Sequence, residues 1–386
     1  VVRGRGRVWQ TTPILENRAK AFLYFLLSSG RLFGKTLKTS ALSAVEFALA
    51  PRAVNAFLGL ASMINSRLFK GQIHFQALGT NFRVWSDGIV SPLYEELPST
   101  SQLIALEYDD AEGRHALMHD PTWVEQFRQD WRHGRTGGDW ASFKAKLGMP
   151  DHLVMRDLDR LVFDGAPVAD WEGENFQEVH ERLLRFMRGD AAAARSDAER
   201  EAFASLDERP ETDADFMLFL LRRYDKGFRY WTDISNVGNV ATMDYLMHPQ
   251  ALPGFNDSGA HLTNMAFFDA NLMALKLAQR EGDATVARMV QRLTREPAAF
   301  FGLDVGTLDI GAQADIVVIN PEVLREWDCN DTREYVYRDL FEHHQMVNRP
   351  DGIVQTVMIR GELAWNAGDF TEVLGEEALG RALQAA

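Results

Sequence analysis

Short segments rich in β-branched and aromatic residues alternate with longer segments of helical period. No other feature of this chain restricts its fold as much. Residues 6–12 read as a buried strand, Arg7-Val8-Trp9-Gln10-Thr11-Thr12, ended by Pro13. Residues 16–28 have helical spacing up to Gly30. Residues 37–45 read as a strand, 53–67 as a helix and 71–78 as another strand. Parallel strands need a long crossover, usually a helix, so this order predicts βα units on a parallel sheet. Residues 228–234 read as the next strand, and 239–248 as a helix that starts near Asn236 or Gly238 and stops before Pro249. A long helical region is expected over 266–301. After Gly302 the texture changes to short strands with glycine turns, at 306–308, 314–319 and 354–361. The expected division is therefore 1–302 for the α/β body and 303–386 for a small β-rich module.

Between these units lies a long excursion, about 92–146, rich in aromatic and charged residues including Trp123, Phe127, Trp131 and Trp140. It is expected to be a helical insertion that builds a pocket wall or simply packs. Residues 152–163 alternate apolar positions and could contain a strand. Residues 176–188 read as an amphipathic helix, and 216–224 return to a helical pattern. Residues 191–215 have few large apolar side chains, which predicts an exposed helix or a mobile segment.

The chain has 386 residues and a formal net charge of −14, so a general basic footprint for nucleic acid is absent. Its one cysteine, Cys329, can form neither an internal disulfide nor a cysteine-rich zinc site, and a reducing cytoplasm fits. The greasiest run, 21–27, falls far short of the roughly 18–20 apolar residues that span a bilayer. It also lacks the cleavage pattern of a signal peptide. No Walker loop, dinucleotide fingerprint, nucleophile elbow or His-Glu-x-x-His pair is present.

The best candidate for chemistry is Asp257 in Gly254-Phe255-Asn256-Asp257-Ser258-Gly259-Ala260-His261. An aspartate leaving a strand end, followed by small residues, can bind a metal or carry a proton from water to a leaving amine. Taken alone, Asp-x-Gly is as consistent with a turn or a helix cap. Its setting is more specific. Upstream come Tyr230-Trp231-Thr232-Asp233, Asn236-Val237-Gly238-Asn239 and His248-Pro249. Downstream come Thr294-Arg295-Glu296-Pro297-Ala298-Ala299-Phe300-Phe301-Gly302-Leu303, then Gly306 through Ile319 with Ala314-Asp315-Ile316-Val317-Val318, then Val357-Met358-Ile359-Arg360-Gly361.

This succession resembles the C-terminal half of the amidohydrolase superfamily, in particular its N-acyl-D-amino-acid deacylase (D-aminoacylase) branch. The likeness covers residues 216–375 well and the earlier part loosely. It implies a (β/α)8 TIM-like barrel, incomplete at its N-terminal side, with a small β-sandwich-type accessory domain. It also implies a divalent metal, zinc by expectation, that activates water against an amide. Asp257 falls on the family's last-strand aspartate, as metal ligand, general base or both. The family's His-x-His pair has no counterpart among the ten histidines here. With Val1 rather than methionine at its start, the chain is expected to begin after the first few strands. The strand Leu37-Lys38-Thr39-Ser40-Ala41-Leu42 also lacks a histidine where the family often supplies one. His74 matches a later family strand and is either a metal ligand or a satisfied half-buried histidine.

His261, four residues after Asp257, could face the pocket mouth, and Asn236 and Asn239 could contact the substrate. Asn239 as a helix cap is the competing reading. His343-His344 is expected to be a surface or interface pair. The expected ligand is a small N-acyl amino acid or related amide, with no nucleic-acid or membrane partner, and homo-oligomerisation is open to the chain. Two other readings stand beside this one: a cyclic amidase using the same site, and a catalytically inactive homologue that serves as a binding or assembly protein.

Overall fold

A computed structural model describes residues 8–11, 37–51, 53–90, 92–133, 154–206, 209–255 and 269–384. The chain opens with β1 (Val8–Thr11) and β2 (Lys38–Ala44), then α1 (Ala53–Ile64), β3 (Gln72–Ala77) and β4 (Phe82–Asp87). A helical stretch follows: α2 (Pro98–Ile104), α3 (Ala111–His119) and α4 (Pro121–His133). The short β5 (Val162–Phe163) precedes α5 (Phe176–Met187), α6 (Asp197–Ala204) and α7 (Asp213–Tyr224). Then come β6 (Arg229–Ser235), α8 (Thr242–Met247) and β7 (Ala251–Pro253). Three helices, α9 (Ala270–Glu281), α10 (Asp283–Leu293) and α11 (Arg295–Phe301), lead to the last part. That part holds β8 (Ile316–Ile319), α12 (Pro321–Glu326), β9 (Arg333–Arg338), β10 (His343–Asn348), β11 (Val354–Ile359), β12 (Glu362–Asn366) and β13 (Asp369–Phe370).

The predicted βα unit of β2, α1 and β3 exists, and the helix expected over 16–28 lies outside the described residues. Strands β1, β2, β3 and β7 form a four-stranded sheet in that order, and every pairing is parallel. Register pairs share a face. Ala41, Phe75 and Ala251 form one row, and it points into a core with Val54 and Leu58 of α1, Leu277 of α9 and Met289 of α10. The other face carries a polar row, Gln10, Ser40 and His74, and Gln76 Nε2 donates to Ser40 Oγ at 2.7 Å. The turn from α1 into β3 is held by Asn65, whose side chain both donates to Ile73 O at 2.7 Å and accepts from Ile73 N at 2.8 Å.

Strand β6 is where the expected strand over 228–234 lies, but it does not continue the parallel series. It pairs antiparallel with β4 and β5 in a separate sheet ordered β4-β6-β5. Period alone could not reveal this, because the partner is chosen by cross-strand pairs such as Arg83 with Asp233.

The helices between β4 and β6 share one core. Trp123, Phe127 and Trp131 of α4 lie in the same cluster as Phe163, Trp171, Phe176 and Phe216. The excursion therefore extends in space from Ile89 to Tyr230. Within it, the segment 191–215 departs from expectation. Asn175, Ser196 and Thr212 cap α5, α6 and α7 by accepting from Glu178 N, Glu199 N and Asp215 N. Glu199 of α6 is fully buried, accepting from Trp171 Nε1 at 2.9 Å and pairing with Arg182. Few apolar residues suffice here because the buried charge is paired.

The helical region predicted over 266–301 is broken at Gly282, whose φ of 104° few residues but glycine adopt, and again at Thr294. The last part has a four-stranded antiparallel sheet, β13-β12-β11-β8, and a separate β9–β10 hairpin, which the sequence pattern did not single out.

Arg292 of α10 is 1% exposed and donates to the carbonyls of Leu246, His248 and Ala251, tying α10 to the entry of β7. Arg292→Leu leaves these buried acceptors without donors. The expected loss is about 3 kcal/mol, read as a lower urea midpoint at unchanged m.

Candidate active site

The chemistry-bearing residues gather where the parallel and antiparallel sheets meet, at the C-terminal ends of β2, β3 and β7. Asn236 builds this junction. It ends β6 in the left-handed region, at φ 51°, which asparagine tolerates better than most residues. Its backbone N donates to Glu46 O and its Oδ1 accepts from Glu46 N, both at 2.9 Å. Its Nδ2 donates to Thr80 O at 3.0 Å. Tyr245 hydroxyl donates to Glu46 Oε2 at 3.4 Å, and burial, with the neighbouring carboxylate, pushes its phenol up to about 12.

Beside the junction, Arg83 of β4 grips Asp233 of β6 through two bonds of 2.8 and 3.0 Å, and Asn81 Nδ2 joins at 3.0 Å. The Arg83 guanidinium also lies 3.4 Å from the centroid of Trp231. A small cleft of about 30 Å3 opens here, lined by Asn81, Arg83, Trp85, Asp269 at the start of α9, Cys329 and Arg333. Gly79 fixes the start of α9 against the turn after β3, since a Cβ there would collide with the carbonyl oxygen of Ala270.

Asp269 precedes α9 yet makes no side-chain cap, and its Oδ2 has no hydrogen-bond partner among the described residues. Burial pushes its carboxyl up to about 7, so near neutrality it is divided between acid and carboxylate. Sequence reasoning missed it, because an aspartate ahead of a helical run reads as a cap. Burial also pushes the Cys329 thiol up, away from the reactive thiolate.

The sequence-predicted residues separate. Asp257 and His261 lie outside the described residues. The chain heads toward Asp257 from β7, where Gly254 N and Phe255 N both donate to Ala77 O. His74 sits in mid-strand, roughly 10 Å short of the end of β3 at about 3.3 Å per residue. Its ring lies edge-on to Phe300, its Nδ1 is without a partner among the described residues, and burial first, then Arg292, lowers its pKa and keeps the ring neutral. Asn236 is 1% exposed with its side chain engaged by backbone, so it shapes the site from beneath. Asn239 is not the cap of α8, which starts at Thr242 after Ala241. Its Oδ1 accepts from Thr242 Oγ1 at 3.3 Å. His343 and His344 are exposed on β10.

Among the described residues, no three His, Cys, Asp or Glu side chains converge as a metal ion requires. Those residues do not by themselves hold one. No helix among them is long and apolar enough to cross a membrane.

Comparison with known proteins gives three kinds of likeness. Residues 254–364 match the amidohydrolase family. An uncharacterized protein of Mycobacterium tuberculosis is 30% identical over 379 residues, which is 96% of this chain and 55% of that relative. The chain thus spans about half the length of this curated relative. A D-hydantoinase of Ralstonia pickettii is 26% identical over 136 residues, 34% of this chain and 28% of the enzyme. A crystal structure of a D-aminoacylase superposes over 97% of this chain and 62% of its own, at 13% identity and a TM-score of 0.36.

The raised Asp269 carboxyl has a stability consequence. Its proton is held more tightly folded than unfolded, so stability falls as pH rises from its ordinary value of 3.8 toward about 7. Asp269→Asn removes that loss. Its stability relative to wild type is expected to grow between pH 4 and pH 7 and then level off, as read by denaturant unfolding across that range.

Proposed function

From the match of residues 254–364 to the amidohydrolase family, we propose that the chain hydrolyses a non-peptide C–N bond in a small-molecule amide, with an N-acyl-D-amino acid as the substrate its motif order favours. The observation that carries the reading is the matched segment 254–364. It begins where the chain leaves β7 beside the end of β3, three residues before Asp257. Ends of parallel strands are where α/β barrels keep their reactive groups. In this reading the four parallel strands are part of a (β/α)8 barrel, and the strands after 303 belong to a small β-sandwich-type domain.

The proposed chemistry is general acid–base. Asp257 takes a proton from the attacking water as its oxygen bonds to the amide carbon. It returns that proton to the nitrogen as the C–N bond breaks, giving a carboxylic acid and an amine. His261 and the half-buried Asn239 are the substrate contacts in this proposal, and Asn236 holds the strand ends that position them. Binding of zinc by Asp257 and His74 also belongs to the proposal. In support, burial keeps His74 neutral, and its buried Nδ1 has no hydrogen-bond partner among the described residues.

One observation favours a narrower reading. The similarity to a D-hydantoinase supports a cyclic amide as the substrate.

Elemental analysis of the purified full-length protein should find a tightly held divalent metal, and a chelator should abolish hydrolysis of N-acetyl-D-amino acids. Asp257→Asn should lower that hydrolysis at least about 100-fold. Metal-free protein with no chelator-sensitive activity would decide for the inactive homologue.

A further inference from the structure

A second cleft, of about 630 Å3, lies away from the strand ends, between α7, the end of α3, α4 and residues just after α6. One face of α7 lines it: Asp215, Leu218, Phe219, Arg222 and Arg223 recur at the spacing of a single helical stripe. Leu218 and Phe219 are buried and make that part of the lining apolar. The rest is cationic. In a chain of net charge −14, this cleft collects four arginines and, among the described residues, one carboxylate. That carboxylate, Asp215, is already engaged. Arg128 Nε and Thr212 Oγ1 each donate to it at 2.7 Å.

The remaining arginines are held in different ways. Arg222 donates twice to Met118 O near the end of α3, at 3.0 and 2.7 Å, which fixes its guanidinium. Arg223 is exposed, donates from Nε to the Tyr224 hydroxyl at 3.1 Å, and has no carboxylate partner among the described residues. Arg209 meets Glu211 at 3.2 Å, but their side chains are 39% and 56% exposed, so water screens the contact and an incoming anion can replace it. Basic residues in the last turn of a helix also answer its dipole, which would account for Arg222 and Arg223 alone. Arg128 and Arg209 line the same cleft from other segments, and the dipole of α7 gives no reason for them.

We propose that this cleft is a second ligand site, for an organic phosphate carrying at least two negative charges. Arg209 and Arg223 take the phosphate groups, Arg222 adds a fixed positive charge, and the body of the ligand lies on Leu218 and Phe219. Guanidinium forks bind phosphate oxygens two at a time, which makes clustered arginines selective for this group. The volume suits a ligand of nucleotide size, and a bare phosphate would leave the apolar lining uncovered. The site is separate from the candidate active site. Strand β6 runs between the end of α7 and Asn236, a span of roughly 20 Å for its seven residues. The proposal therefore does not depend on the amide-hydrolase reading.

The test is calorimetric titration of ADP into the full chain without magnesium, beside adenosine and pyrophosphate. Wild type should bind ADP at least about tenfold more tightly than adenosine, and added salt should weaken ADP binding. Pyrophosphate should bind more weakly than ADP, since it cannot cover Leu218 and Phe219. Arg209→Gln and Arg223→Gln should each weaken ADP at least about tenfold, with Arg223→Lys recovering part of the loss. Both residues are exposed, so thermal unfolding of the variants should match wild type and show that the fold is kept. Arg200→Gln, exposed on α6 and outside the cleft, should leave ADP binding unchanged. The proposal is overturned if ADP fails to bind at about 1 mM. It is equally overturned if adenosine or pyrophosphate binds as tightly as ADP, or if Arg209→Gln and Arg223→Gln lose no more affinity than Arg200→Gln.

Discussion

The side chain of Asn236 meets the backbone of two other segments just past the ends of their strands, at Glu46 after β2 and at Thr80 after β3, while its own residue closes β6. The parallel and antiparallel sheets have no strand in common, so this contact sets how their edges lie. It is buried, and each polar atom of the amide is used, which makes the arrangement costly to exchange for another. A smaller side chain would leave Glu46 N and Thr80 O without their partner. A larger one would not take up the left-handed backbone at this position as readily.

Charge is handled differently on the two sides of the cleft. On the inner side it is cancelled locally, since Asp233 receives both arms of Arg83 and a third donor from Asn81. On the outer side, Arg333 rests on an indole and is only loosely matched by Asp164, and Arg229 lies over Tyr335 at 3.4 Å. Guanidinium-on-ring contacts hold the hairpin to the antiparallel sheet, and each of the two arginines also has a carboxylate within 4 Å, Asp87 for Arg229 and Asp164 for Arg333.

Much of the frame was legible because it is local. The strands at Lys38–Ala44 and Gln72–Ala77 and the helix between them follow from period, β-branching and glycine placement. The partner of β6 was not legible, because parallel and antiparallel neighbours ask for the same alternation and the Arg83–Asp233 pair is 150 residues apart. The order of the α6 segment was hidden for a similar reason. One of its buried residues, Glu199, needs Arg182 and Trp171 from elsewhere in the chain. At the site, the sequence pointed to Asp257 through a run of motifs. It was silent on Asp269, which shares a cleft with Arg83 and Arg333 from distant parts of the chain, and no local pattern encodes that. Asn236 was noticed as a substrate contact, and its structural setting is that of a fastener.

The connection that carries Asp257 and His261 leaves the sheet at Ala77, where Gly254 and Phe255 are bound, and rejoins it at Gly79, against which Ala270 is pressed. Its two feet stand on the same short stretch of β3. Thirteen residues, 256–268, lie between Phe255 and Asp269. Where the chain departs and where it returns are thus both set at the end of β3, and a side chain at position 79 would displace the return without touching the departure.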